Sequence, residues 1–253
     1  MTGFARNEHI EAVRFIGTRA YVITYEQIDP LFILDLSDPA DPRIDGEVEI
    51  TGFSTLLVPI SDTRLIGIGY GTADNGYGGE MSDGLKIALF DVSNPSKPKV
   101  LDSKQFKDLD SEAQYDHHAL LQNAGEGYLA IPYSHWIEDW IGTEDDAEIT
   151  DGDSADGAGG KASADGKASA DGKASPGGKA LDGAGAAGLK AGKNGVLSVD
   201  DDVCGGVLVF GAKDKIEIKK NFTNTKEGVR RCVYIGDYIY ALDENDHIDG
   251  FKM

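Results

Sequence analysis

The chain has 253 residues, 40% of them apolar, enough to fill the core of one large or two small domains. Its 44 acidic and 24 basic residues leave a formal charge of −20, which argues against nucleic acid and anionic membrane as partners, because both would repel such a surface. Two cysteines, Cys204 and Cys232, cannot make a disulfide framework and lack the paired spacing of a zinc site, and no apolar run reaches the roughly 18 residues of a membrane helix.

Along the chain, "MTGFARNEHIEAVRF" carries charges at Arg6, Glu8, Glu11 and Arg14 where an export signal needs an unbroken apolar stretch, so none is expected there. "AVRFIGTRAYVIT" at 12 to 24 then reads as two short apolar strands around a turn at Gly17, a hairpin echoed by "RCVYIGDYIYAL" at 231 to 242 around Gly236. "TLLVPISDTRLIGIG" at 55 to 69 and "HALLQNAGEGYLAIPYS" at 118 to 134 have the same form. A third strand follows each hairpin, "PLFILDLS" at 30 to 37, "LKIALFDVS" at 85 to 93 and "GGVLVFGA" at 205 to 212. After the first two come "DLSDPADPRI" at 35 to 44 and "DVSNPSKPKV" at 91 to 100. Pro39, Pro42, Pro95 and Pro98 cannot donate to a ladder, so the motif ends the third strand and turns the chain into a fourth. Asp38 and Asn94 can bond turn backbone through their side chains.

Repeated four-stranded antiparallel units with little helical periodicity predict an all-β fold, a β-propeller. The blades fall at 12 to 50, 53 to 108 and 115 to 222, with a partial blade from 229, about three and a half in all. Propellers have about four to eight blades, so the ring is expected to be incomplete. A longer propeller, ring completion by a second copy, or an open stack would each accommodate the count; the first is the preferred expectation. By domain, residues 1–136 hold blades one, two and the start of three, and 205–253 hold the end of blade three and the partial last blade. Residues 137–204 are expected to be a low-complexity, largely disordered insertion. Its repeat "GKASADGKASADGKAS" offers no aromatic residue to offset ordering entropy. Residues 151 to 195 contain six Asp and six Lys, so the whole net charge sits on the rest of the chain. Such self-repulsion is relieved by salt, and a halophilic source is the corresponding expectation.

"ITYEQIDPLFILDLSDP", "GFSTLLVPISDTRLIGIGY", "LKIALFDVSNPSKP", "YDHHALL", "LAIPYS" and "VYIGDYIYAL" together resemble the secreted β-propeller proteins of archaea and bacteria that are distant relatives of WD repeats. The likeness covers most of residues 10 to 136 and again 205 to 242. It implies an extracytoplasmic, secreted or cell-surface propeller, of which this chain would be a C-terminal portion, and it brings no catalytic residues to transfer.

Two clusters carry metal-ligand chemistry. Asp116 and His117 in "YDHH", with His135 on the next strand, could hold a transition metal. His117 and His118 are adjacent on an expected strand and so point to opposite faces, leaving at most one of them to join the set. In "GTADNGYGGEMSDG", Asp74, Asn75, Glu80 and Asp83 offer hard oxygens suited to calcium, although their spacing is not that of a helix-loop-helix site. The acidic runs "DDD" at 200 to 202 and "DENDH" at 243 to 247 read as solvated. Trp136 and Trp140, flanking Glu138 and Asp139, form an aromatic and acidic patch suited to a sugar or cationic peptide. No serine elbow or cysteine–histidine pair for nucleophilic catalysis is legible.

The leading expectation is a non-enzymatic binding or scaffold module, with a protein, a glycan or a cationic ligand as partner. The alternatives are a metal-assisted hydrolase or lyase at Asp116, His117 and His135, and a structural module that completes its ring as a homo-oligomer.

Overall fold

A computed structural model of the chain describes residues 5, 8–25, 29–74, 80–136, 188–192, 195–224 and 226–253, by backbone alone at 29, 74 and 80. Among these residues there is no α-helix, only strands and two one-turn 3₁₀ helices. The first sheet is a meander of β1 (His9–Ile16), β2 (Arg19–Tyr25), β3 (Asp29–Asp35) and β4 (Arg43–Ile50). The second repeats it with β5 (Phe53–Ser61), β6 (Arg64–Asp74), β7 (Glu80–Asp91) and β8 (Lys99–Phe106).

A short β9 (Leu109–Asp110) leads into the third sheet, whose first strands are β10 (Leu121–Asn123) and β11 (Tyr128–His135). After β12 (Lys190–Ala191) and β13 (Leu197–Ser198), the third sheet is completed by β14 (Gly205–Ala212) and β15 (Ile216–Asn224), while β9 pairs with β11. A fourth sheet has three strands, β16 (Val229–Ile235), β17 (Tyr238–Asp243) and β18 (Ile248–Lys252). These are the expected blades of a β-propeller whose ring is not closed.

The inner strands read as continuous apolar runs because both faces of each inner sheet are covered. Successive side chains of a strand alternate faces, and in β14 Val207 and Val209 pack toward the fourth sheet while Leu208 and Phe210 pack toward the second. In β7, Ala88 and Phe90 join Tyr21, Ile23, Leu31 and Ile33 of the first sheet, and Ile87 and Leu89 turn to Leu129 and Ile131 of the third. Three stacked interfaces result, each a layer of interleaved apolar side chains.

The proline motif is one turn built twice. In the first blade the Asp35 carboxylate accepts the Ser37 N–H at 2.9 Å and Asp38 accepts the Ala40 N–H at 3.0 Å. In the second, Asp91 accepts the Ser93 N–H at 2.9 Å and Asn94 accepts the Ser96 N–H at 3.2 Å. The two hairpin glycines, Gly17 and Gly236, have φ of 59° and 61°, a left-handed conformation that costs glycine nothing.

Two expectations change. The insertion is expected at 137–204; residues 137–187 and 193–194 lie outside the described residues, but 188–192 and 195–204 are placed and structured. There β13 runs parallel to the end of β8, and Val199 and Val203 are buried in the core between the second and third sheets. Second, His117 and His118 are not on a strand: with Ala119 they form a one-turn 3₁₀ helix. Asp116 imposes it, because its side chain accepts the His118 N–H and starts a turn where the ladder would otherwise begin.

The stack ends in two sheet faces with exposed apolar side chains. On the first sheet these are Val13 and Phe15, which sit opposite Val22 and Ala20. On the fourth sheet Cys232, Ile239, Ala241 and Phe251 face the third sheet, so alternation turns Val233, Ile235, Tyr238 and Ile248 outward, and all four are exposed.

Candidate functional site

The chain between β9 and β10 carries most of the chemistry, and a polar knot fixes it. Ser111 caps the 3₁₀ turn Glu112–Gln114: its hydroxyl accepts the Ala113 N–H at 3.2 Å, and the Gln114 side-chain carbonyl accepts the Ser111 N–H at 2.6 Å. This is a capping box. The Ser111 hydroxyl donates to Pro132 O at 2.6 Å, and the Gln114 amide donates to Gly69 O at 2.9 Å. Both side chains are buried, so the knot ties the second sheet to the third and holds the flanking residues Asp110, Glu112, Tyr115 and Asp116 in place.

Arg231 of β16 reaches across from the fourth sheet. Its Nη2 lies 2.7 Å from the outer oxygen of Asp116 and its Nη1 3.6 Å from Glu112. The other Asp116 oxygen accepts the His118 N–H at 2.8 Å and lies 2.9 Å from the His118 Nδ1, which therefore carries the proton. These bonds from His118, with Arg231 beside them, hold the Asp116 carboxyl below the usual range. The His117 and His118 rings lie 3.9 Å apart, centroid to centroid.

Of the expected transition-metal set, the structure thus brings together Asp116 and His117, with His118 in the third place, their ligand atoms all within 4.8 Å of one another. His135 is outside this group. Its Nδ1 donates to the Val203 carbonyl oxygen at 2.7 Å. Of the expected calcium set, Asn75 lies outside the described residues, as do the side chains of Asp74 and Glu80. Asp83 is engaged by Gln105 of β8, whose amide donates to the Asp83 carbonyl at 3.0 Å and to its carboxylate at 3.3 Å. Trp140, Glu138 and Asp139 also lie outside the described residues. The run at 243 to 247 is not simply solvated. Asp243 is buried and its carboxylate accepts the Asn245 and His247 N–H groups, each at 2.9 Å.

Between the third and fourth sheets opens a cleft of about 630 Å³ that sequence reasoning missed. Asp110, Glu112, Glu227 and Glu244 bring four carboxyls to it against Lys226 and Arg230, and Trp136 and Cys204 also line it. Arg230 is drawn to Asp246 at 2.8 Å, which leaves the acidic groups in excess. Asp110 is the unusual member. One carboxyl oxygen accepts from the Tyr115 hydroxyl at 3.4 Å, while the other is buried and has no hydrogen-bond partner among the described residues. Burial, with Glu112 nearby, pushes this carboxyl up. Behind it the Tyr70 hydroxyl donates to that of Tyr115, so a line of hydroxyls runs from the second sheet to the cleft. The lining residues come from five separate stretches of chain, so no local sequence pattern announces them.

No solved structure matches the chain. Its sequence is 39% identical over 136 residues to an uncharacterized protein of Methanocaldococcus jannaschii, covering 53% of this chain and 20% of that protein. It is 35% identical over 130 residues to an uncharacterized protein of Archaeoglobus fulgidus, covering 51% of this chain and 19% of that protein. The match thus spans about a fifth of the length of these relatives. The sequence model of the family described as "Beta propeller domain" matches residues 1–253. With four stacked antiparallel sheets in the same order, the chain belongs to the beta propeller domain family.

Proposed function

We infer that this propeller module is a non-enzymatic binding or scaffold element that works outside the cytoplasm, and that its contact site is the acidic cleft between the third and fourth sheets. The location follows from the resemblance to secreted propellers. The observation that carries the binding site is the buried, unpartnered oxygen of Asp110. A carboxylate kept in that state costs stability, and a cationic ligand donating to it would repay the cost. Glu227 and Glu244 extend the negative field, and Trp136, 70% exposed at the rim, offers a flat apolar surface for the stem of a lysine or arginine.

Titration with a lysine- and arginine-rich peptide tests this reading. Saturable binding that weakens with salt and is lost in Asp110→Asn and Glu244→Gln supports it. Binding that is absent, or equal in these variants, overturns it.

A second reading, a self-assembling module, is favoured by the two apolar end faces. Val13 and Phe15 of one copy would pack on Val233, Ile235 and Tyr238 of another, a head-to-tail contact that adds blades to the stack. Light scattering in concentrated salt decides it: a monomer throughout excludes this reading, and a dimer lost in Ile235→Glu supports it.

A further inference from the structure

The geometry points to a divalent transition-metal site formed by Asp116, His117 and His118, taking zinc or a neighbouring borderline cation. The site is separate from the cleft, and the inference does not depend on what the cleft binds.

Three features carry it. The three residues each bring a ligand atom within 4.8 Å of the others. Ligation at about 2.0–2.1 Å in a tetrahedral arrangement needs separations of roughly 3.3 Å, so the widest pair need close by no more than about 1.5 Å, while Asp116 and His118, at 2.9 Å, open slightly. The histidine side chains are 70% and 74% exposed, so they can make that movement by rotating in solvent.

The carboxylate is anchored independently of the rings. Arg231 Nη2 holds one Asp116 oxygen at 2.7 Å, and the His118 backbone N–H holds the other at 2.8 Å. Both bonds can persist while the second oxygen uses its remaining lone pair for a cation. Arg231 would then orient the ligand from behind, as outer-shell partners do in metal sites. The contact to be given up is that between the His118 Nδ1–H and this oxygen, at 2.9 Å. The metal takes the Nδ1 lone pair and the proton moves to Nε2 of the same ring, the other tautomer of the imidazole. The 3₁₀ turn makes the set available, because it puts both rings on one side of the chain, whereas a strand would have opposed them.

Two imidazoles and one carboxylate suit zinc, cobalt, nickel or copper, whereas calcium and magnesium require a shell of oxygens. Three protein ligands leave the fourth tetrahedral position open to water or to a donor from a partner.

The test uses the full chain stripped of metal by a chelator and kept reduced, titrated with zinc by calorimetry and with cobalt by visible absorption. One equivalent of zinc should bind. His117→Ala and His118→Ala should each weaken binding by roughly tenfold or more, since even outer-shell losses cost about 10–100-fold. The double variant should abolish both the heat and the cobalt spectrum, and His135→Ala and His247→Ala should change neither. Because both rings are exposed, the variants should keep the far-ultraviolet circular dichroism of the parent. Absence of a stoichiometric site, or a site that survives in the double variant, overturns the proposal.

Discussion

Asp35 and Asp91, at the same position of successive blades, each accept the N–H of the serine two residues on at 2.9 Å. They differ in what else they hold. Asp91 also takes Arg64 Nη1 at 2.7 Å. The arginine in register with Asp35, Arg19, has its nearest ion-pair contact with Asp45, at 3.8 Å. Asp91→Ala should therefore destabilise more than Asp35→Ala, by roughly 0.2–1 kcal/mol, the worth of an ion pair near the surface. Both carboxyls are held below their usual range, mainly by the bonds from Ser37 and Ser93. The stabilisation is thus complete above the unfolded value near 3.9 and is lost as pH falls through the lower folded value. The difference between the two variants in thermal melts should narrow below about pH 4.

The second turn is also a contact between blades. A Cβ on Gly46 of β4 would overlap the Pro95 carbonyl oxygen and lie 3.0 Å from the backbone of Ser96. Backbone on that side cannot swing away as a side-chain tip can. Gly46→Ala should cost about 1–3 kcal/mol, the usual range for overpacking, whereas Gly125→Ala, where the nearest atom is 3.5 Å away, should be near neutral. Denaturant melts of the two variants give the comparison.

The blades were legible because their cause is local. Apolar runs bounded by turn residues, repeated with the same proline punctuation, fix strand order without knowledge of distant contacts, and the sheets begin and end within a few residues of the expected blades. The site was not legible for the same reason. Asp110 and Glu244 meet only because β11 and β16 pack together, and Asp116 finds Arg231 across 115 positions. At "YDHH" the structure groups Asp116 and His117 with His118 rather than with His135. A side-chain cap at Asp116 overrides strand alternation, so His118 takes the place expected of His135.

Asp110 should be worth more to binding than to stability. Its carboxyl is raised, so the folded chain holds that proton more tightly than the unfolded chain. The resulting penalty is absent below the unfolded value near 3.9, grows as pH rises through the folded value, and is complete above it. Asp110→Asn should therefore stabilise the chain at pH 7 by about 1 kcal/mol, the low end for an unsatisfied buried polar group because the cleft is open to water. The gain should vanish near pH 3. Loss of stability at pH 7 would remove the argument that this carboxylate awaits a ligand.

The two thiols should separate kinetically. Both are free. Cys204 lines the cleft and its thiol is pushed up by burial first and then by Glu227 and Asp202. Cys232 is sealed between the third and fourth sheets and raised to about 12 by burial. A disulfide reagent should titrate one thiol in the native chain, faster as pH rises because the thiolate reacts, and both in denaturant. A cleft ligand should slow the first reaction, which gives a second readout of binding.

Salt should stabilise this chain more than an ordinary domain. The formal charge of −20 sits on a surface whose acidic groups greatly outnumber their partners, and repulsion between them opposes compaction until counterions screen it. Screening at about 0.1 M reaches only to roughly 10 Å and tightens to about 3 Å at 1 M, so melting temperature should climb steadily with potassium chloride through the molar range. Chloride is the informative salt, because sulfate stabilises most proteins by exclusion from their surfaces whatever their charge. A further control neutralises the charge instead of screening it. If replacing several exposed glutamates with glutamine reproduces the stabilisation in dilute buffer and flattens the salt response, the effect is electrostatic, whereas a melting temperature indifferent to potassium chloride would end the expectation of a halophilic chain.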